Sequence, residues 1–147
     1  MIATAAQQLG ELLDELGLAA RIEGGRYDPV LRECDTLQLA RDAADALGED
    51  RVHVGGPGGT VHVDAEATRR AVTAFAQCAL RHGGLDEVEV RAEGDTLQIA
   101  PITPSAAPVV LGEDLRDLGA AVGALLVRQL GGSVEVEGET LSVRLPP

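Results

Sequence analysis

The sequence predicts a two-layer α/β (α+β) sandwich, a mixed sheet covered by helices and preceded by a separate N-terminal helix. Three observations predict it. Apolar residues recur at helical spacing in four segments, paired runs of alternating residues lie between them, and glycines close each helical segment. At 147 residues and 45% hydrophobic, the chain can bury one core without metals or disulfides.

Residues 2–23 carry Ala5, Leu9, Leu12, Leu16 and Ala19 at a 4-3-4-3 spacing, one seam along a helix that Leu13 and Ile22 widen. Gly24-Gly25 ends it, because glycine readily takes the left-handed conformation needed past a helix terminus. The stretch around Asp28-Pro29 reads as a loop. Asp35 then caps a short amphipathic helix with Leu37, Ala40, Ala44 and Leu47 on one face, up to Gly48. Arg51–Val54 and Thr60–Val63 read as strands joined by Gly-Gly-Pro-Gly-Gly at 55–59, for which a hairpin is the simplest geometry.

A helix from Ala65 to Arg81 should bury Ala71, Val72, Phe75, Cys78 and Ala79, closed by Gly83-Gly84. Glu87–Ala92 and Thr96–Ala100 alternate as strands about the turn-prone Gly94-Asp95. Pro101–Gly112 contains Pro101, Pro104 and Pro108 and no charge, and reads as a loop. A last helix, Leu115–Leu130, turns Leu118, Val122, Leu125 and Leu126 inward, and strands Ser133–Glu137 and Thr140–Leu145 follow around Gly138.

Composition narrows the function. Twelve basic residues, all arginine, oppose 24 acidic ones for a net charge of −12, which repels phosphate backbones and anionic lipid and argues against nucleic acid or a membrane as partner. Tyr27 and Phe75 are the only aromatic residues, so no stacking platform for bases exists. Cys34 and Cys78 lack metal-type spacing and no basic-then-apolar leader precedes them, so a reducing cytoplasm is the expected compartment. No nucleophile triad, paired-carboxylate motif or phosphate-binding loop stands out, which leaves an unrelated enzyme activity without support.

Three pieces carry a family resemblance. Leu9-Gly-Glu-Leu-Leu-Asp-Glu-Leu-Gly-Leu-Ala-Ala-Arg-Ile-Glu-Gly-Gly25 finishes in an Ala-Arg-x-Glu-x-Gly run; Asp64 to His82 is an aspartate-led helix; Leu130-Gly-Gly-Ser-Val-Glu-Val leads to Val143-Arg-Leu-Pro146. In this order and with these gaps, the chain resembles the kinase region of sensor histidine kinases over nearly its whole length. The resemblance implies the tail of the second dimerisation helix over 1–25 and a histidine-kinase-like ATPase domain (GHKL, Bergerat-fold) over 35–147.

It also implies a degenerate nucleotide site. Cys78 stands where the family carries a Mg²⁺-binding asparagine, and a thiol is a poor ligand for a hard cation. Ile99-Ala-Pro-Ile-Thr-Pro-Ser-Ala-Ala107 stands where the family has an adenine-binding aspartate and glycines, which removes a charge-assisted hydrogen bond of about 1.5–3 kcal/mol. Asp117-Leu118-Gly119-Ala120 stands at the glycine-rich phosphate motif and sets a carboxylate where phosphate oxygens would lie. The intervening loop, about a dozen residues, is short for a nucleotide lid.

The expectations are therefore no catalytic residue, no metal site and no bound cofactor, with Cys78, Arg81, His82 and Gly119 as vestigial pocket positions. The alternative keeps ATP and Mg²⁺ on unusual residues such as Arg81, His82 and Gly119, in a catalytic domain of a divergent sensor kinase of two-component signal transduction. The phosphoacceptor histidine belongs to a first dimerisation helix that this sequence does not include, and His53 and His62 fall in expected strands. Cys78, on the apolar face beside Phe75, reads as buried and inert rather than redox-active. His82 reads as a helix-terminal imidazole facing the last carbonyls, or as nucleotide-facing. The seam Ala5, Leu9, Leu12, Leu16 and Ala19 either docks on the chain's own sheet or, as the resemblance favours, pairs with a second copy as a homodimer. The expected function is that of a pseudokinase-like bacterial signalling protein acting through protein contacts, with itself and a response regulator or other signalling protein as partners.

Overall fold

The computed structural model describes residues 2–147, with side chains from Ala5 onward. The first helix, α1, is a single element over Ile2–Glu23. The later elements are β1 (Arg32–Asp35), α2 (Thr36–Leu47), β2 (Val52–Gly58), β3 (Thr60–Val63), α3 (Ala65–Gly83), β4 (Val88–Glu93), β5 (Thr96–Ala100), α4 (Ala107–Val110), α5 (Leu118–Gln129), β6 (Ser133–Glu137) and β7 (Thr140–Arg144). Capping aspartates set three of the helix starts: Asp35, Asp64 and Asp117 accept the amides of Leu37, Ala67 and Ala120.

Five strands form one mixed sheet in the order β2-β4-β5-β7-β6, in which β2 and β4 are parallel and the other neighbours antiparallel. Its period-two alternation places Val88, Val90, Ala92, Leu97, Ile99, Leu141 and Val143 on the buried side. Glu89, Arg91, Glu93, Gln98 and Glu135 point to solvent, so the helices cover a single face and the other stays open. Over the buried face, α2 and α3 pack side by side and α5 lies against α3. The helices α3 and α5 approach closely because Gly123 is buried between them: a Cβ there would stand 3.2 Å from that of Ala71 and 3.3 Å from Cζ of Phe75.

The predicted hairpin over 51–63 does not form. Instead β2 runs through the glycines to Gly58 and pairs with β4, while β3 turns away to pair antiparallel with β1 in a separate two-stranded sheet. The glycines serve close approach rather than a tight turn. Gly56 lies at φ +95°, and a Cβ there would stand 2.1 Å from the Ala92 carbonyl oxygen. Strand β1 itself falls in the stretch read as a loop. Arg32-Glu33-Cys34-Asp35 has no apolar alternation, and the strand is defined by pairing with β3 rather than by burial.

Two further expectations need adjustment. The proline-rich segment 101–112 is not a loop throughout. It buries Ile102, Ala106, Val109 and Val110 and contains α4, which packs against both α3 and α5. The last helix starts at Leu118, not Leu115, because Asp117 provides the cap; Leu115 lies outside it and is exposed. The helices and strands predicted elsewhere form close to their expected bounds. Among the described residues, no helix is long and apolar enough to cross a membrane.

Candidate functional site

Two of the positions singled out from sequence, Cys78 and His82, lie where the C-terminal turn of α3 meets the first turn of α5. Residues four apart on a helix share a face, so α3 presents Cys78 and His82 together, one turn apart. From α5 comes Asp117, whose Oδ1 accepts the Ala120 amide at 3.1 Å and whose Oδ2 lies 3.6 Å from His82 Nε2. One ligand atom each from Cys78, His82 and Asp117 lies within 4.8 Å of the others.

Burial shapes their chemistry. Cys78 is fully buried, and its thiol is pushed up to about 12, first by burial and then by the Asp117 carboxylate beside it. It is a protonated, unreactive thiol at neutral pH, as its place on the apolar face of α3 predicts. His82 does not face the last carbonyls of its helix through its ring. Its Nε2 is buried against Asp117 without a hydrogen-bond partner, while its own carbonyl accepts the Ser105 hydroxyl at 2.8 Å.

Gly119 sits under α1. A Cβ built on it would stand 3.2 Å from Oε1 of Glu15 and 3.3 Å from Cβ of Ala74, so the glycine is needed for close packing. Glu15 is held above its usual carboxylate range chiefly by burial, with Arg70 pulling the other way and Asp117 adding to the rise. Two carboxylates, Glu15 and Asp117, thus crowd the first turn of α5. The cavity beside them, lined by residues including Glu15, Arg70 and Gly119, holds about 20 Å³. Arg81, the remaining predicted position, is exposed at the surface of α3. A larger open depression of about 670 Å³ lies elsewhere, at the C-terminal end of α1, among Arg21, Arg26, Tyr27 and Arg32.

The stretch Ile99–Ala107, expected from the resemblance at the place of the adenine aspartate, folds on itself. Thr103 Oγ1 accepts the Ala106 amide at 3.3 Å and lies 3.0 Å from the Ser105 hydroxyl, which starts the turn into α4.

Neither a family model nor a curated protein matches the sequence. Solved structures do. Acinetobacter baumannii histidine kinase AdeS matches over 98% of this chain and 81% of its own, with a TM-score of 0.72 at 12% identity. The ATP binding domain of PrrB from Mycobacterium tuberculosis matches over 79% of this chain and 96% of its own, with a TM-score of 0.63 at 25% identity. The fold is that of a histidine-kinase ATP-binding domain.

Within this histidine-kinase fold, the cytoplasmic segment of histidine kinase QseC also matches over 99% of this chain and 92% of its own, with a TM-score of 0.64 at 13% identity, so α1 is included in the likeness. Sequence reasoning found Cys78, His82 and Gly119 one by one, from the resemblance. It missed Glu15, which signals nothing in an acidic amphipathic helix, and it noted Asp117 only as a charge, without its cap. Asp117 followed by a helical run three residues ahead of Ala120 is the one signal that could have given the cap.

Proposed function

We propose that this chain is a degenerate histidine-kinase-like module that works in bacterial signalling by binding other proteins and does not hold Mg²⁺ and ATP productively. One observation carries the reading. Asp117 fills the N-terminal turn of α5 with the protein's own carboxylate, and Glu15 stands over the same turn. A helix N-terminus attracts phosphate through its free amides and its dipole; here Asp117 takes the Ala120 amide, and the two carboxylates together repel a triphosphate.

The same reading gives α1 the role of a pairing helix. It docks on α5 through Leu18 and Ile22, which leaves Leu9, Leu12, Leu13 and Leu16 exposed. An apolar stripe of that kind is suited to a second copy of the chain, and a response regulator is the natural class of further partner for a protein built on this fold.

The competing reading is an ATP-binding catalytic domain of a divergent sensor kinase. It is favoured by the 25% identity with the ATP binding domain of PrrB. Calorimetric titration of the folded chain with ATP and Mg²⁺ decides between them. The degenerate reading expects no saturable heat at millimolar nucleotide, and micromolar, magnesium-dependent binding would replace it with the catalytic one.

A further inference from the structure

We infer that Cys78, His82 and Asp117 form a binding site for one borderline-soft divalent cation, Zn²⁺ by its chemistry, at the junction of α3 and α5. This goes beyond the nucleotide question, and neither answer to that question requires it.

The donor set and its spacing point to the ion. Tetrahedral zinc with sulfur at about 2.3 Å and nitrogen or oxygen at about 2.0–2.2 Å has ligand atoms roughly 3.3–3.7 Å apart. His82 Nε2 and Asp117 Oδ2 are already separated by 3.6 Å, and all three donors lie within 4.8 Å of one another.

The surroundings hold the ligands as a metal site requires. Cys78 and His82 are one turn apart on α3, so a single rigid element fixes two of the three. The third is anchored by its other oxygen: Oδ1 of Asp117 accepts the Ala120 amide, which leaves Oδ2 directed toward His82. The end of α3 is held in turn by the Ser105 hydroxyl donating to the His82 carbonyl. His82 Nε2 gives the independent indication. It is a buried polar atom with no hydrogen-bond partner, an unfavourable state that coordination to a cation relieves.

Sulfur, imidazole and carboxylate together favour zinc over magnesium or calcium, which take all-oxygen shells. On binding, the thiol proton leaves to solvent and a sulfur–metal bond forms, so thiolate and carboxylate together neutralise the dication. Three protein ligands leave a fourth position. The side chains of His82 and Asp117 retain 18% and 12% exposure while Nε2 of His82 itself is buried, and a water or a further donor completes the shell.

The test uses the metal-free full chain titrated with Co²⁺ and then with Zn²⁺. The expected result is one Co²⁺ per chain with a thiolate-to-cobalt charge-transfer band, displaced by Zn²⁺, and a thermal midpoint that rises with Zn²⁺. Cys34→Ser should keep the band and Cys78→Ala should lose it. His82→Asn and Asp117→Asn should each weaken binding by about 10-fold or more. Asp117→Asn retains the helix cap, so its effect is separable from unfolding, which circular dichroism checks for every variant. No charge-transfer band in folded wild-type protein at saturating Co²⁺ would overturn the site. A band that survives Cys78→Ala, or affinity unmoved by both His82→Asn and Asp117→Asn, would do the same.

Discussion

The hydroxyl of Thr36 donates to the main-chain carbonyl of Gly94 at 2.8 Å, tying the first turn of α2 to the connection between β4 and β5. Thr36 is fully buried, and its amide also donates to Gly59, so one residue links the small sheet to the large one. Replacing it with the similarly shaped valine strands the Gly94 carbonyl. Thr36→Val is expected to lower stability by about 1–3 kcal/mol in urea unfolding, with little change in the denaturant slope.

Asp64 serves two partners. It caps α3 through the Ala67 amide and accepts the Tyr27 hydroxyl at 2.6 Å, holding the segment after α1 against α3. Tyr27→Phe is expected to cost about 1–2 kcal/mol and Asp64→Ala more, because it also removes a cap. The double variant should fall short of the sum by about 0.5–2 kcal/mol, no more than the Tyr27→Phe loss itself, and additive losses in a double-mutant cycle would contradict the shared contact.

Alkaline pH should be felt at Cys78. Burial raises its folded value to about 12, so the neutral thiol contributes stability that is fully present below the ordinary thiol value, near 9, and lost as pH rises toward 12. Tyr27, also held above its ordinary value by burial and by Asp64, acts in the same direction above pH 10. Metal-free Cys78→Ala should therefore lose less stability than wild type between pH 9 and 11. In the native protein at pH 8, a thiol reagent should modify the half-buried Cys34 before Cys78, which reacts only on unfolding.

The exposed stripe on α1 predicts self-association. Leu12→Glu and Leu16→Glu change residues that α1 does not use against α5, so the fold should persist while mass by light scattering falls from dimer to monomer. A wild-type chain that is monomeric at high micromolar concentration would remove the pairing role from the proposal.

Legibility in the sequence followed the range of the interactions. Helices α1, α2, α3 and α5 could be read because their stripes and caps are local, and β4–β5 and β6–β7 because each pairs with its neighbour in the chain. What failed was non-local. Whether β2 turns back on β3 or runs beside β4 depends on the Ala92 carbonyl, which is 36 residues from Gly56 and is visible only as a close contact in the fold. The polar strand β1 exists because β3 is there to pair with it. The site was legible in part for the same reason: Cys78 and His82 share a helix, whereas their meeting with Asp117 depends on the packing of α3 on α5.

The sheet ends on β6, where Glu135 and Glu137 are exposed along an edge strand. A chain adding a further strand there would bring carboxylates to within the roughly 4.8 Å spacing of neighbouring strands and strip them of water. Colloidal behaviour follows from that placement. Runaway growth by strand addition is opposed at this border, one of the two edges of the five-stranded sheet, where the fold carries a built-in deterrent to fibre formation.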